Sequence, residues 1–341
     1  MYKMRLLKII FLFVFFPVFL MGQKITFKQE LDFFFDNTEF ARSAYTTDQT
    51  MAGVHLRPEI GMGWDKKHTI FGGVDFLKKF GSNVAVDKTT LIAYYQYKDE
   101  KTLFQAGSFT KNELLSDYSN FFFQDSVKYF RPTMNGLFLK KGNDKRNIKL
   151  WLDWTGLQSA TLRESFFIGA SGNNDFNKNF FADFQMYVYH FAGTQPAMYD
   201  QHVCDNILAQ ASLGYKYSDK DWNKVLVSGG ILAGFERNRK YMNDAYMPIG
   251  FVGKADAEYK KWGTENLIYA GQPRMKLYSE LGNEFYWGNP FLRGNFYWQN
   301  KLYWNVIKNR KVTGQLSLRN HYSQGKIYFE QLFTLSASIG N

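Results

Sequence analysis

Apolar and polar residues alternate with a period of two along segment after segment of this chain. The clearest case lies in residues 247–260, where one face carries Ile249, Phe251, Ala255, Ala257 and Tyr259 and the other carries Val252, Lys254, Asp256, Glu258 and Lys260. Only an extended strand sorts residues to two faces at this period. Because no amphipathic helix pattern is present to cover such a sheet, the sheet must close on itself. We therefore predict an all-β fold, a transmembrane antiparallel up-and-down β-barrel.

The first residues have the pattern of an export signal. An apolar run at 9–21 follows a short segment that contains Lys3, Arg5 and Lys8 and no acidic residue. Small residues precede Gln23. A retained membrane helix would need about 20 apolar residues, which exceeds this run. We predict a signal peptide at residues 1–22, removed on export, and a single barrel domain at 23–341 in the bacterial outer membrane.

Composition fits a barrel and limits the partners. Aromatic residues make up 19% of the chain and hydrophobic residues 45%, yet the mean hydropathy is −0.37. A barrel hides apolar surface in alternation and needs aromatic belts at both membrane interfaces. The net charge of +11 is spread over turns and inward faces. A nucleic-acid binder needs a clustered basic patch, so we prefer contact with lipopolysaccharide or an anion-favouring lumen, and we interpret most of these cations as ordinary solvated turn lysines.

Turn residues divide the mature chain into about 16 strands, and a count of 14 to 18 is possible because some strand boundaries are unclear. Short polar turns, typical of the periplasmic side, fall near residues 65–67, 99–101, 142–146, 218–222, 261–265 and 309–310. Longer connections, typical of the extracellular side, fall near 38–48, 112–129, 193–205, 238–246 and 272–290. The rhythm of short turns and long loops is that of an outer-membrane barrel.

The strand pleat assigns a set of charged residues to the lumen, where they are candidates for solute contact. These residues are His55, Arg57, Glu59, Lys254, Arg293, Lys301 and Arg319. The cluster His55, Arg57 and Glu59 alternates with apolar residues that face outward. It has two interpretations, a selectivity patch on the barrel wall or an ion-pair ladder that satisfies buried polar groups.

One long connection is too apolar for a solvated loop. Residues 112–129 include Tyr118, Phe121, Phe122 and Phe123 and join the fifth and sixth strands on our count. In this respect the chain resembles the general porins and the phosphate-selective porins, in which the loop at this place folds inward and narrows the barrel. The resemblance implies a constriction loop here; packing against the outer rim or a partner protein is the alternative.

A short motif near the C-terminus could carry chemistry. His321 and Ser323 share a strand face, and Glu330 follows. The motif resembles outer membrane phospholipase A and the lipid A deacylases of the PagL type, which implies His321 as base, Ser323 as nucleophile and Glu330 as orienting acid. However, the pleat turns these residues toward the lumen, whereas those hydrolases need a lipid-facing site. A two-residue turn at Gln324 and Gly325 would also pair Glu330 with Arg319.

We interpret the chain as a porin-like channel for passive passage of small polar or anionic solutes. An occluded barrel that anchors an outer-membrane protein complex is the first alternative, and an outer-membrane lipid hydrolase is the second, so an enzymatic role stays open but is not favoured. The expected partners are outer-membrane lipid and lipopolysaccharide, and other outer-membrane proteins or a second copy are left open. We expect no cofactor and no metal, since the five histidines show no ligand spacing.

Overall fold

The computed structural model describes residues 24–340 apart from Ala197 and Asp200. The predicted signal peptide at 1–22 lies outside the described residues. Within them, no helix is long and apolar enough to cross a membrane.

Sixteen antiparallel strands form one closed barrel in chain order, and β1 pairs with β16 to complete it. The strands are β1 Lys24–Glu39, β2 Gln49–Trp64, β3 His68–Lys79, β4 Lys88–Lys98, β5 Thr102–Thr110, β6 Thr133–Gly142, β7 Arg146–Gly156, β8 Ser165–Asp175, β9 Phe180–Phe191, β10 Cys204–Tyr217, β11 Trp222–Asn238, β12 Ile249–Tyr259, β13 Trp262–Gly271, β14 Phe296–Lys308, β15 Val312–Ser323 and β16 Lys326–Gly340. The predicted fold class and strand number are confirmed.

The pleat sorts side chains as the alternation predicts. On β12, Ile249 and Phe251 are exposed on the outer face, whereas Val252 is buried on the inner face. Outward aromatic residues collect near the short turns, at Trp222, Tyr259, Trp262 and Trp304. A second outward set, Phe296, Trp298 and Phe329, lies toward the long loops. Two such belts mark the membrane interfaces of an outer-membrane barrel.

Two long connections fold into the lumen from the long-loop end. Residues 111–132 include α1 at Asp125–Phe130. Residues 272–295 include α2 at Tyr278–Phe285, kinked at Gly282, and a short 3-10 helix at Pro290–Arg293. We call these segments together the plug. A barrel of this width cannot be filled by its own side chains, and the plug supplies the missing volume.

The plug packs against the wall through aromatic rings. Phe122 is fully buried, and Tyr118 and Phe123 contact Trp151 on β7. The Trp151 indole donates a hydrogen bond of 3.0 Å to the Tyr118 hydroxyl, which donates to the Ala170 carbonyl at 2.8 Å. Each buried polar atom of these rings therefore has a partner, which makes the packing specific as well as apolar.

A buried carboxylate on the wall holds the second plug segment. Glu236 on β11 accepts hydrogen bonds from the backbone N–H groups of Met275 and Lys276, at 2.8 and 2.7 Å. It also accepts one from the Tyr286 hydroxyl at 2.7 Å. Arg274 supplies the nearby positive charge, with 3.9 Å between Nη2 and Oε1. One side chain thus fixes the start of the second plug segment and the residue that follows its helix.

We predict that Glu236→Ala loosens the second plug segment. The substitution leaves three donors without an acceptor, two of them buried, so the free energy of unfolding should fall by about 3 kcal/mol. Urea unfolding of the protein in lipid vesicles measures the change, with the exposed Glu280→Ala as the matched control. Equal stabilities of the two variants would contradict the role given to Glu236.

Candidate functional site in the lumen

The hairpin of β15 and β16 carries the candidate catalytic residues. Gln324 and Gly325 form its turn, both with positive φ. The register pairs Arg319 with Glu330 and Ser323 with Lys326, as the turn residues predict. Odd positions of β15 face inward, so the hairpin presents its charged groups to the plug.

A buried network joins these groups. His321 Nε2 lies 2.8 Å from Glu330 Oε2, and His321 Nδ1 lies 2.6 Å from the Tyr297 hydroxyl. Arg319 Nη1 donates to both Glu330 oxygens, at 2.9 and 2.8 Å, and to Asp125 Oδ2 of the plug at 2.7 Å. The turn at Gln324 and Gly325 predicts the Arg319–Glu330 pair, and in the structure the His321 imidazole reaches the same carboxylate.

Ser323 lies beside this network without joining it. Its hydroxyl is buried and has no hydrogen-bond partner among the described residues. Both nitrogens of His321 already contact other groups, Glu330 and Tyr297. The serine and histidine of the motif therefore share a face, but they are not coupled as a nucleophile and its base.

Three carboxylates from distant parts of the chain meet at the same place. Asp36 of β1, Asp125 of α1 and Glu330 of β16 have oxygens within 4.8 Å of one another. Asp36 is 1% exposed, and neither of its oxygens has a hydrogen-bond partner among the described residues. Oxygen ligands of this kind suit a hard divalent cation. Sequence reasoning missed the cluster because the three positions show no spacing pattern.

Two cations of the site hold the plug carboxylate ionised. Burial opposes the charge of Asp125, but Lys128 and Arg319 outweigh it and keep the pKa of Asp125 well below its ordinary value. Lys128 Nζ lies 2.9 Å from Asp125 Oδ1. The ion pair with Arg319 therefore ties the plug to the wall at neutral pH.

Two cavities meet at this ion pair. A cavity of about 80 Å³ is lined by Asp36, His321 and Glu330 and reaches residues 46–49 at the long-loop end. A larger cavity of about 440 Å³ lies on the other side, with Lys224, Lys254 and Lys301 in its wall. Asn120, Asp125 and Arg319 line both cavities.

The predicted cluster on β2 forms an ion-pair network. His55 Nδ1 lies 2.7 Å from Asp75 Oδ1, and its Nε2 lies 2.7 Å from the Tyr129 carbonyl oxygen. Arg57, 2% exposed, lies 3.4 Å from Asp75 and also pairs with Asp32. Glu59 accepts from the Tyr94 hydroxyl at 2.9 Å. These contacts favour the structural interpretation, and solute contact at His55, Arg57 and Glu59 stays a prediction.

The remaining predicted lumen residues divide into two groups. Lys254 and Lys301 face the larger cavity beside Asp256 and Glu265, at 3.4 and 3.7 Å. The alternation predicts that Arg293 lies on β14 and faces the lumen. In the structure Arg293 instead belongs to the 3-10 helix that precedes this strand. Its guanidinium donates to the Ala44 carbonyl at 3.1 Å and so joins the plug to the first long loop.

The predicted constriction loop lies inside the barrel. Tyr118, Phe121, Phe122 and Phe123 are all buried against the wall or the second plug segment. Their role in setting an aperture stays a prediction. The sequence signal that placed them, an aromatic run in a long connection, gave no sign that residues 272–295 would join them.

The closed sixteen-stranded wall, its aromatic belts and its inward loops define an outer-membrane β-barrel of a bacterium. Residues 22–337 match the model of the Lipid A 3'-O-deacylase-type family, and the chain belongs to that family. No curated protein matches the chain.

Solved structures show the same fold. OpdK of Pseudomonas aeruginosa has a TM-score of 0.54 and 10% identity, covering 93% of this chain and 99% of that one. A loop L8 deletion mutant of OmpT of Vibrio cholerae has a TM-score of 0.54 and 11% identity, covering 93% and 100%. OccK2 (OpdF) of Pseudomonas aeruginosa, solved with glucuronate, has a TM-score of 0.53 and 8% identity, covering 93% and 98%.

We predict that the Asp125 ion pairs stabilise the protein in a pH-dependent manner. Because the folded pKa of Asp125 lies below its unfolded value, its contribution is complete above about pH 4 and is lost as the pH falls further. Asp125→Asn should lower the free energy of unfolding by about 3 kcal/mol at pH 7, and the difference should shrink toward pH 3. Urea unfolding across this range measures it, with Asp117→Asn, a more exposed pair on the same loop, as control. A difference independent of pH would contradict the assignment.

Proposed function

We propose that this protein hydrolyses an acyl ester of a lipid A-type glycolipid at the lumenal site of His321 and Glu330. The observation that carries the proposal is the 2.8 Å contact between these two side chains beside a small polar cavity. The family to which the chain belongs is named for removal of an acyl group from lipid A. A histidine oriented by a carboxylate is the arrangement expected of a general base.

The proposed nucleophile is a water molecule. A cavity of about 80 Å³ has room for water and polar groups to hold it. His321 Nδ1 would exchange its contact with the Tyr297 hydroxyl for this water and take a proton from it while the water oxygen attacks the acyl carbon, and the proton would then pass to the leaving alkoxide as the ester bond breaks. The Arg319 guanidinium, which contacts Glu330, would stabilise negative charge on the carbonyl oxygen.

The position of the site differs from the lipid-facing one of the hydrolases that the motif resembles. The cavity reaches Thr46, Thr47 and Gln49 at the long-loop end, close to the height of the outer-leaflet headgroups. In the proposal the ester enters there, between the first long loop and the plug. Only the ester and the carbons next to it would enter, since a cavity of about 80 Å³ is too small to contain whole hydrocarbon chains.

We predict that His321→Ala and Glu330→Gln abolish the release of fatty acid. Loss of a general base costs about 100-fold or more in rate, whereas Ser323→Ala should retain activity if water is the nucleophile. Mass spectrometry of purified lipid A incubated with the protein in detergent measures release. His190→Ala on the outer wall is the matched control. Absence of release by the unmodified protein would end the hydrolase proposal.

A narrow passage for small polar or anionic solutes is the second candidate. The specific observation in its favour is that two cavities share Asn120, Asp125 and Arg319, so a single ion pair divides them. Lys254 and Lys301 in the larger cavity would favour anions. An occluded anchor barrel, the remaining alternative, would show neither passage nor hydrolysis.

We predict that replacing both partners of the dividing ion pair, in Asp125→Ala with Arg319→Ala, raises single-channel conductance in a planar bilayer. Removing both side chains joins the cavities, while Glu330 keeps its contact with His321 and Lys128 is exposed enough to be solvated. Arg239→Ala with Asp205→Ala, an exposed ion pair near the rim, is the control and should change nothing. Silence of both the unmodified protein and the double variant would exclude a passage at this place.

A further inference from the structure

We propose that α1 is the movable part of the plug and that His55 on β2 holds it against the wall, as a latch that closes only while the imidazole carries a proton. The proposal rests on the contacts of His55 and on the position of α1 between the cavities. It does not depend on the hydrolysis proposed above.

Both ring nitrogens of His55 face acceptors. Nδ1 lies 2.7 Å from Asp75 Oδ1 on β3, and Nε2 lies 2.7 Å from the carbonyl oxygen of Tyr129 in α1. A neutral imidazole has one N–H donor and one lone pair, so it can donate to only one of these oxygens and turns its lone pair toward the other. Both contacts are hydrogen bonds only when each nitrogen carries a hydrogen. The arrangement therefore requires the imidazolium form.

The surroundings of His55 suit a positive charge. The ring is 3% exposed, and so is Asp75, which faces it directly. Arg57 Nε lies 3.4 Å from the same Asp75 oxygen, and a guanidinium pairs with the ionised carboxylate. The charged or titratable groups on the elements around the ring are Glu30 and Asp32 on β1, Arg57 on β2, Asp75 on β3, Lys88 on β4, and Lys128 and Tyr129 on α1.

The carbonyl of Tyr129 belongs to the last turn of α1, where carbonyl groups have no donor within the helix. The next carbonyl, of Phe130, accepts from Lys88 Nζ at 3.3 Å. The Tyr129 ring stacks on Phe34 of β1, with 4.3 Å between the ring centres. Cations of the wall therefore hold the end of α1 by its free carbonyl oxygens. When His55 loses its proton, one of the two oxygens that it contacts faces a lone pair, and the contact with Tyr129 is weakened or lost.

The position of α1 gives its movement a consequence. Asp125 and Ser126 line the small cavity at the long-loop end. On the other side of α1 lies a cavity of about 450 Å³, which Lys128 and Tyr129 line together with His55. This cavity reaches residues 310–311, the short turn between β14 and β15. Displacement of the end of α1 would therefore connect the two ends of the lumen.

The latch opens as the pH rises. At low pH the charged ring donates both hydrogen bonds, and above the range in which it loses its proton only one remains. Among the groups around the ring, only an imidazole ordinarily changes charge between about pH 5 and 8. The contribution of Asp125 is lost only below about pH 4, so the two effects are separable.

The mobility of a spin label on α1 tests the proposal. Cys204→Ser removes the one native thiol, and Ser126→Cys carries the label. Electron paramagnetic resonance spectra of the full mature chain in detergent are recorded from pH 5 to pH 9. We expect a mobile component that is small at pH 5 and grows with a single midpoint as the pH rises. Asp75→Asn removes the charge opposite the ring and should move the midpoint down by about one pH unit.

His55→Gln does not titrate and should abolish the pH response. The matched control is His190→Gln on the outer wall, a second histidine beside an aspartate, with 3.5 Å between Nδ1 and Asp205 Oδ1, and it should respond as the parent does. Asparagine keeps the shape of aspartate, so a moved midpoint in Asp75→Asn would not reflect misfolding. A parent label whose mobility does not change between pH 5 and pH 9, or an unchanged transition in His55→Gln, would overturn the proposal.

Discussion

Everything in this molecule depends on the need to pair backbone N–H and C=O groups in a medium without water. Sixteen strands meet that need only by closing β1 onto β16, and the closure fixes a lumen wider than inward side chains can fill. The chain fills that lumen with its own long connections. Their backbone would be costly to bury without partners, and Glu236 shows how the cost is met, since one wall carboxylate accepts two backbone N–H groups and a hydroxyl.

Arg319 performs the corresponding task for the first plug segment. It bonds Glu330 on the neighbouring strand and Asp125 in α1, and so one cation is shared between wall and plug. Arg319 and Lys128 together face three carboxylates, and the oxygens of Asp36 have no hydrogen-bond partner among the described residues. A buried cluster of charges is a poor way to stabilise a fold, because apolar side chains of similar volume often give equal or higher stability. The meeting of three carboxylates at one buried place is the physical reason to regard this cluster as a working site.

The sequence predicts the wall well because the wall obeys a local rule. Period-two alternation at residues such as 249–259 predicts that the segment is a strand, which side chains face the lipid, and which aromatic residues form the belts. The turn at Gln324 and Gly325 predicts the register of the last hairpin. The plug follows no local rule. Residues 112–129 stood out through their aromatic run, but the fate of residues 272–295 depends on Glu236, almost 40 positions earlier. Arg293 was misplaced for the same reason, since alternation was extended into a segment that is not a strand.

The candidate site shows the same division. Arg319 and Glu330 could be paired from the hairpin alone, whereas Asp36 and Asp125 enter only when the barrel closes and the plug folds. This has a consequence for function. The strands that carry Arg319 and His321 inward carry Asn320 outward, so one stretch of wall presents a charged site to the lumen and an amide to the lipid. A protein that acts on a membrane glycolipid must separate the polar part of its substrate from the hydrocarbon part. A pleated strand does this without any additional element, because alternate residues of the same segment face the two media.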